Sequence, residues 1–266
     1  MTLLSDFGNR DQYVSEMKGT ILSLCPSSVI VDTTHEIEKF NTRMGALALA
    51  AAARYFPEGT IHVAVVDPGV GGARRDLLIE SNHFIFLGPD NGILIPAASQ
   101  DGIRAVYGIE NPEFMRNPVS STFHGRDVFA YVAGRIAAGA EPRLVGPRVS
   151  DPVSAAFPQA VASAGKIACE VLAIDSFGNI VTTAKEGDLE VAGIEAGASV
   201  RMRCRRRGFG LDVRRTYSDS AEGGALLLVG SHGFLEVALN KASAAKRFRV
   251  SSGDELIFTS GLACRS

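Results

Sequence analysis

The first 140 residues alternate short apolar runs of strand length with segments whose apolar residues recur at helical spacing. The strand-like runs are rich in Val, Ile, Leu and Phe, and they lie at residues 2–4, 28–31, 61–66 and 84–87. Helical spacing predicts helices over 13–24, over 44–55 behind a cap at Asn41 or Thr42, and from about 126 to 138. This alternation is typical of an α/β domain with a central, mostly parallel sheet.

The amino-acid composition changes at residues 140–165, where four prolines among Ala and Ser suppress regular structure. Six strand-like segments follow, separated by Gly, Asp and Ser turns, at 167–174, 180–183, 200–206, 225–229, 234–238 and 255–259. Such a run predicts a smaller all-β domain, a barrel or a sandwich. We therefore expect an α/β catalytic domain at 1–150, a linker at 151–165 and a β-barrel-like domain at 166–266.

Charge and cysteine usage exclude several protein classes. The 27 Lys and Arg nearly balance the 29 Asp and Glu, so no whole-protein field gathers nucleic acid or an anionic membrane. The four cysteines lie far apart, which disfavours a zinc knuckle or a dithiol motif and predicts buried thiols in a reducing compartment. No secretory signal is visible, and the longest uncharged apolar stretch, 46–53, is far short of the roughly 20 residues of a membrane span. We expect a cytoplasmic protein.

Each of the four N-terminal strand-like runs leads into an aspartate: Asp6, Asp32, Asp67 and Asp90. Ligands of open α/β sheets bind at the carboxyl ends of the strands, so these carboxylates are candidates for one pocket. Any single one is better explained as a turn or cap residue, but their shared position at strand ends favours a common site.

The loop from Asp67 to Arg75 is rich in glycine, which lets the backbone approach a ligand closely. At its end, Arg74 and Arg75 bring two positive charges back toward Asp67. The loop matches neither the phosphate-binding G-x-x-x-x-G-K-[ST] pattern nor the dinucleotide pattern G-x-G-x-x-G. By itself it predicts only a shaped, polar site at a strand end.

Two further clusters combine chemically useful side chains. His124 lies among hydroxyl residues just before the third predicted helix, where its ring can face a pocket or merely cap the helix. Asp175, Phe177 and Asn179 fall within five residues, a set that can clasp a purine or form an ordinary β-turn. The other four histidines form no close ligand pair, so the sequence predicts no catalytic metal.

Seven segments, in order along the chain, carry a resemblance to a known family: Ser5-Asp6-Phe7-Gly8 with Asp11 and Met17-Lys18-Gly19, Asp32-x-x-His35, Phe56-Pro57-x-Gly59-Thr60, Val66-Asp67-Pro68-Gly69-Val70-Gly71, Gly88-Pro89-Asp90-Asn91-Gly92, Ser121-Thr122-Phe123-His124-Gly125-Arg126-Asp127 and Asp175-x-Phe177-Gly178-Asn179. Together they resemble the S-adenosyl-L-methionine hydroxide adenosyltransferases, relatives of the fluorinating and chlorinating adenosylmethionine enzymes. The resemblance runs through nearly the whole chain.

The resemblance implies a hydrolase that splits S-adenosylmethionine at C5' of the ribose into adenosine and methionine, with no cofactor because this compound is the substrate. It implies catalytic roles for Asp67, Arg74 and His124. Substrate-binding candidates are Asp6 for the ribose hydroxyls, Asp175 and Ser231 for methionine, Asn179 for adenine, and Asp11, Phe40, Asn91, Phe177 and Glu236. It also implies a homotrimer whose active sites join the N-terminal domain of one subunit to the C-terminal domain of its neighbour.

Three alternatives stay open at this point. A halide-dependent adenosyltransferase of the same fold is the nearest, although an ionised Asp67 within about 4 Å would repel a halide by roughly 1 to 4 kcal/mol. His232 follows Ser231 where the halogenating relatives carry Arg. A methyltransferase is disfavoured because the expected glycine loop after the first strand is missing. Nucleic-acid binding through Arg201–Arg215, with seven Arg and one acid, competes with a solvated hairpin, which the alternation of Arg with apolar residues favours.

Overall fold

The structure is a computed structural model that describes residues 1–154 and 158–261. The chain divides into two compact units, residues 1–156 and 157–266, which are described one at a time. Within the described ranges, no helix combines the length and the apolar composition needed to cross a bilayer.

The N-terminal unit is built on a six-stranded sheet with the order β2-β1-β3-β5-β4-β6. Its strands are β1 (Thr2–Ser5), β2 (Val31–Thr34), β3 (Ile61–Val65), β4 (Asp76–Ser81), β5 (Ile85–Pro89) and β6 (Ile103–Gly108). The pairs β1–β2, β1–β3 and β3–β5 are parallel, and β4 runs antiparallel to both of its neighbours. The predicted α/β domain with a mostly parallel sheet is therefore confirmed.

The helices of this unit are α1 (Tyr13–Leu24), α2 (Thr42–Ala53), α3 (Ile95–Asp101) and α4 (Tyr131–Ala137), with short 3-10 turns at Pro112–Phe114 and Pro142–Val145. The apolar spacing predicted α1 correctly, and Asn41 caps α2 by accepting the Met44 N–H at 2.9 Å. The third predicted helix is present, but its start, Gly125–Ala130, is wound as a π-helix that continues into α4.

Two features of the N-terminal unit differ from the sequence prediction. The second strand is Val31–Thr34, not residues 28–31, because β1 pairs Thr2 with Val31 and leaves Val29 exposed. Asp32 therefore lies inside a strand, where it binds Lys18 at 2.6 Å and His35 at 3.1 Å. The strands β4 and β6 and helix α3 were not predicted, and β4 has only three fully buried apolar residues between charged ones.

One face of the sheet carries α1 and α4. Leu3, Val63 and Leu87 from the strands pack there against Met17 of α1 and Phe129 of the π-helical segment. This packing fixes the loops that leave the carboxyl ends of β1 and β3, because the strands beneath them are completely buried.

The C-terminal unit is a β-barrel. Its strands are β7 (Val161–Ser163), β8 (Lys166–Ile174), β9 (Ile180–Lys185), β10 (Ser199–Cys204), β11 (Arg207–Val213), β12 (Ala225–Val229), β13 (Phe234–Leu239) and β14 (Glu255–Ser260). Seven of them close on themselves through the pairing of β14 with β8, and β7 adds to β8. Two helices, α5 (Glu186–Ala192) and α6 (Ala244–Phe248), and a 3-10 turn at Tyr217–Asp219 complete the unit.

The arginine-rich segment forms the antiparallel hairpin of β10 and β11. Val200, Met202 and Cys204 are buried while Arg201 and Arg203 are exposed, so the predicted alternation of Arg with apolar residues along this strand is confirmed. The sequence did not predict β11, α5, α6 or β7, the last of which lies within the segment predicted as a linker. Of the predicted buried thiols, Cys169 and Cys204 are buried, Cys25 is partly exposed and Cys264 lies outside the described residues.

Candidate functional site

The loop that follows β3 joins Asp67 to Arg74. The Arg74 Nε lies 3.1 Å from both carboxylate oxygens of Asp67, and Nη2 lies 2.5 Å from Oδ2. The two side chains are only 11% and 5% exposed. Arg75, the second cation of the loop, turns away instead and binds Asp90 and Asp151, each at 2.7 Å. Only one of the two arginines expected near Asp67 therefore reaches it.

Asp76, the first residue of β4, links Arg74 to His124. One oxygen of Asp76 accepts a hydrogen bond from Arg74 Nη1, and the other lies 2.9 Å from Nδ1 of His124. Arg74 Nη2 is 3.2 Å from the same ring nitrogen. We call the four side chains, Asp67, Arg74, Asp76 and His124, the polar cluster.

Sequence reasoning missed Asp76. Its signal was a carboxylate two residues after a cation in an extended segment, where alternate side chains face the same side. That signal is weak without knowledge that β4 starts there.

Burial and the neighbouring charges act in opposite directions on the groups of the polar cluster. Desolvation raises the pKa of Asp76, although the charges of Arg74 and His124 act in the opposite direction. Burial also disfavours the Arg74 cation, but hydrogen bonds and charges from Asp67 and Asp76 outweigh it and raise the pKa of Arg74. Arg74 is thus a permanent donor, and after its bonds to the two carboxylates and the contact of Nη2 with His124 Nδ1, one N–H of Nη1 is left for another acceptor.

Close backbone packing holds the two halves of the polar cluster together. Gly71 has a φ of +72°, and a Cβ atom there would lie 2.1 Å from the carbonyl oxygen of Ser121. The His124 segment is itself fixed by buried Asp127, which accepts from the Ser120 N–H at 2.9 Å and from Arg126 Nε at 2.7 Å. Both loops therefore have little freedom to move.

Asp6, at the end of β1, organises a neighbouring loop. Its Oδ2 accepts the N–H of Phe40 at 2.9 Å, and the Lys39 amino group donates to its backbone carbonyl. Phe40 has a φ of +66° and presents a ring that is 70% exposed. Asp11 is exposed just before α1. Asp6 is therefore engaged in shaping the loop that displays Phe40.

Asn91 supports the polar cluster through the backbone. Its Nδ2 donates to the carbonyl oxygen of Val66 at 2.8 Å, and its Oδ1 accepts from the Ile93 N–H at 3.2 Å. The bond ties the turn after β5 to the residue just before Asp67. In this structure Asn91 orients the strand end that carries Asp67.

The second group of predicted residues lines one cleft of about 770 Å³ in the C-terminal unit. Asp175, Phe177, Asn179, Ser231 and Glu236 all contribute to it. We call this space the barrel cleft. The barrel cleft is therefore formed by the turn after β8, by the turn between β12 and β13, and by side chains of β9 and β13.

The turn after β8 is organised by Asp175. Its Oδ1 accepts the N–H groups of Phe177 and Asn179 at 2.9 and 2.8 Å, and its Oδ2 accepts the Asn179 amide at 2.9 Å. The Phe177 ring is 79% exposed beside it. Such a turn offers a flat apolar face next to an amide oxygen and a carboxylate.

Glu236 and Tyr217 form a pair in the barrel cleft. The Tyr217 hydroxyl donates to Glu236 Oε2 at 2.9 Å. Burial, together with the charge of Asp175, raises the pKa of Glu236, and burial with the Glu236 bond raises that of Tyr217 to about 12. Sequence reasoning missed Tyr217 because it lies in a 3-10 turn within the arginine-rich region. The barrel cleft thus contains two acids, Asp175 and Glu236, and such a pair suits an organic cation.

The two groups of residues can perform complementary tasks. The polar cluster in the N-terminal unit can bind, orient and deprotonate a small oxygen nucleophile. The barrel cleft can hold a ligand with a flat ring and a cationic end.

Comparisons with known proteins agree along both units. Residues 1–146 match the family model described as the SAM hydroxide adenosyltransferase N-terminal domain, and residues 169–257 match the model of its C-terminal domain. The chain is 36% identical over 264 residues to the (R)-S-adenosyl-L-methionine hydrolase of Salinispora arenicola, covering 98% of each chain.

Two other relatives extend the comparison. The chain is 27% identical over 282 residues to a fluorinase of Nocardia brasiliensis, covering 95% of this chain and 94% of that one. It also superimposes on the crystal structure of an uncharacterized conserved protein from Thermotoga maritima with a TM-score of 0.91 at 34% identity, covering 97% of this chain and 99% of the other.

We predict that Gly71→Ala destabilises the protein more than Gly59→Ala. Both glycines have similar positive φ values, +72° and +79°, but a Cβ at Gly59 meets nothing within 4 Å. Gly59→Ala should lower the free energy of unfolding by about 1–2 kcal/mol through backbone strain alone. Gly71→Ala should cost about 1–3 kcal/mol more because of the clash with Ser121. Urea denaturation followed by circular dichroism measures both, and equal losses would contradict the packing described here.

We also predict that Glu236→Gln stabilises the protein at pH 7. The raised pKa means that the folded state binds the Glu236 proton more tightly than the unfolded state, so the native protein loses stability as pH rises from about 4.5 through the folded-state value. Gln keeps the Tyr217 bond without this loss, so its advantage should grow with pH across that window. The exposed Glu255→Gln is the control, and an advantage that is constant with pH would refute the burial argument.

Proposed function

The chain belongs to the SAM hydroxide adenosyltransferase family, and we propose that it hydrolyses S-adenosyl-L-methionine to adenosine and L-methionine. The observation that supports this most directly is Arg74 clamped between Asp67 and Asp76 beside His124. This arrangement leaves one N–H group of a fixed cation for an oxygen nucleophile and provides proton acceptors next to it.

In the proposed reaction, the oxygen of water attacks C5' of the ribose in line with the sulfonium. The new C5'–O bond forms as the C5'–S bond breaks, and the electron pair leaves with sulfur as the neutral thioether of methionine. The leaving group needs no general acid, and the substrate itself supplies the adenosyl group, so no separate cofactor takes part. The difficult task is to position water and remove its proton.

The proposed catalytic residues are Asp67, Arg74 and His124. Arg74 binds the water oxygen and favours hydroxide character, while Asp67 and His124 orient the water. For the substrate, we assign Asp6 to the ribose hydroxyls, Asn179 and Phe177 to adenine, and Asp175, Ser231 and Glu236 to the methionine moiety. Phe40 adds an apolar wall and Asp11 a nearby carboxylate. Asn91 contributes by fixing the strand end that carries Asp67.

Water is favoured over halide as the nucleophile by two observations. The Salinispora arenicola hydrolase is 36% identical to the chain, whereas the Nocardia brasiliensis fluorinase is 27% identical to it. The carboxylate of Asp67 lies in the polar cluster, where a negative charge within about 4 Å of a halide costs roughly 1 to 4 kcal/mol. We propose small-molecule chemistry without nucleic-acid or membrane partners, and a cytoplasmic location remains a prediction.

We further propose a homotrimer in which the polar cluster of one subunit meets the barrel cleft of its neighbour. The support is that the catalytic candidates belong to one unit of the chain and most substrate-binding candidates to the other. A cyclic arrangement satisfies every such pairing with identical contacts.

We predict that incubation with S-adenosyl-L-methionine in oxygen-18 water yields methionine and adenosine carrying the label at the 5'-hydroxyl. Chromatography with mass detection measures both products. The same reaction with added chloride and fluoride is the control for halide transfer. S-adenosylhomocysteine, a 5'-halo product, or adenosine without label would each overturn the proposed reaction.

Complementation tests the proposed assembly. His124→Asn damages the polar cluster and Asn179→Ala damages the barrel cleft, so each variant alone should be inactive. After equimolar mixing with subunit exchange, about one quarter of the sites should combine two intact halves and restore that share of activity. Light scattering checks for three subunits. A site contained within a single chain predicts no recovery.

A further inference from the structure

We infer that Asp76 is a positioning residue that holds the Nδ1–H of His124 and so turns the bare Nε2 nitrogen toward the reacting water. His124 then takes the proton, and Asp67 and Asp76 keep Arg74 in place. This inference deepens the proposed hydrolysis and rests on it. It assigns a task to Asp76, which is not among the catalytic residues that the resemblance implies.

The first step concerns the proton on Nδ1. An ionised carboxylate is an acceptor only, and Oδ2 of Asp76 lies 2.9 Å from Nδ1. A hydrogen bond at this distance requires the hydrogen on Nδ1. In the neutral ring the lone pair is then on Nε2.

The second step compares the competing tautomer, in which Nδ1 accepts from Arg74 Nη2 at 3.2 Å. That tautomer sets a lone pair of Nδ1 against the carboxylate oxygen of Asp76 at 2.9 Å, which is repulsive. Both bonds are charge-assisted, because Arg74 is a cation and Asp76 an anion, and the bond to Asp76 is the shorter of the two, 2.9 Å against 3.2 Å. Asp76 therefore decides the tautomer.

The third step concerns Asp67 as a rival proton acceptor. Its Oδ1 accepts from Arg74 Nε and from the Gly69 N–H at 3.2 Å, and its Oδ2 accepts from Nε and Nη2 of Arg74. A proton arriving there has to compete with these bonds. The hydrogen bonds of the His124 ring to residues 1–154 and 158–261 all involve Nδ1, and the ring keeps 17% exposure. Nε2 is the more available acceptor.

The geometry of β4 offers a matched control. Asp101 contacts His83 Nδ1 at 2.7 Å, an Asp–His pair like the one between Asp76 and His124, but it lies beside Ser81 at the opposite end of the strand. Six residues of strand separate the two ends by roughly 17 Å. Asp101→Asn therefore removes the same chemistry away from the polar cluster.

The first test uses the native protein. With 15N-labelled histidine, two-bond proton–nitrogen correlations distinguish a ring protonated at Nδ1 from one protonated at Nε2. We expect the neutral His124 ring to carry its proton on Nδ1, with the His124→Asn spectrum identifying its signals. A proton on Nε2 would overturn the inference, whatever the activity of the protein.

The second test is kinetic. Asp76→Asn should lower kcat by roughly 10²- to 10⁴-fold with little change in KM, because a misoriented base affects the chemical step and not substrate binding. Asp76→Glu, which restores the carboxylate, should recover part of kcat, and Asp101→Asn should leave it unchanged.

The outcomes separate this inference from the proposed function. If neither adenosine nor methionine forms but the ring is protonated on Nδ1, the hydrolase proposal fails and the tautomer assignment survives. If hydrolysis occurs and Asp76→Asn retains the native kcat while His124→Asn does not, Asp76 has no positioning role.

Discussion

The clamp of Arg74 between two buried carboxylates is the interaction on which the site depends. A buried cation left without a partner costs about 3–5 kcal/mol, and Asp67 and Asp76 both bind Arg74 and compensate its burial. They come from the end of β3 and the start of β4, and the whole intervening loop must close to bring them together. The loop is therefore shaped by the charge that it buries.

The same clamp connects the site to the sheet. β3 lies between β1 and β5 in the buried centre of the N-terminal sheet, while β4 runs antiparallel to both of its neighbours, β5 and β6. Because β4 runs in reverse, it starts at the edge where β3 and β5 end. An antiparallel strand thus delivers its first residue, Asp76, to the edge where the parallel strands deliver their last.

The sequence predicted those parts of the molecule that depend on local periodicity. Helix α1 is recognisable because its apolar residues repeat with the helical period, and strand β12 because it is a continuous apolar run of strand length. The residues 67, 74 and 124 were identified by resemblance, and the structure shows how they meet. Asp76 and Tyr217 were not predicted as site residues, because their roles depend on contacts with His124 and Glu236, which lie 48 and 19 residues away along the chain. The predicted position of strand β2 was wrong because its position is set by pairing with β1.

The contact of Gly71 with Ser121 has a consequence for how such a protein can change over time. Two loops separated by fifty positions touch backbone to backbone, with no side chain between them to absorb an alteration. An insertion or a bulkier residue in either loop is transmitted directly to the other. The two loops therefore constrain each other, and a change that alters the backbone path of one has to be matched by a change in the other.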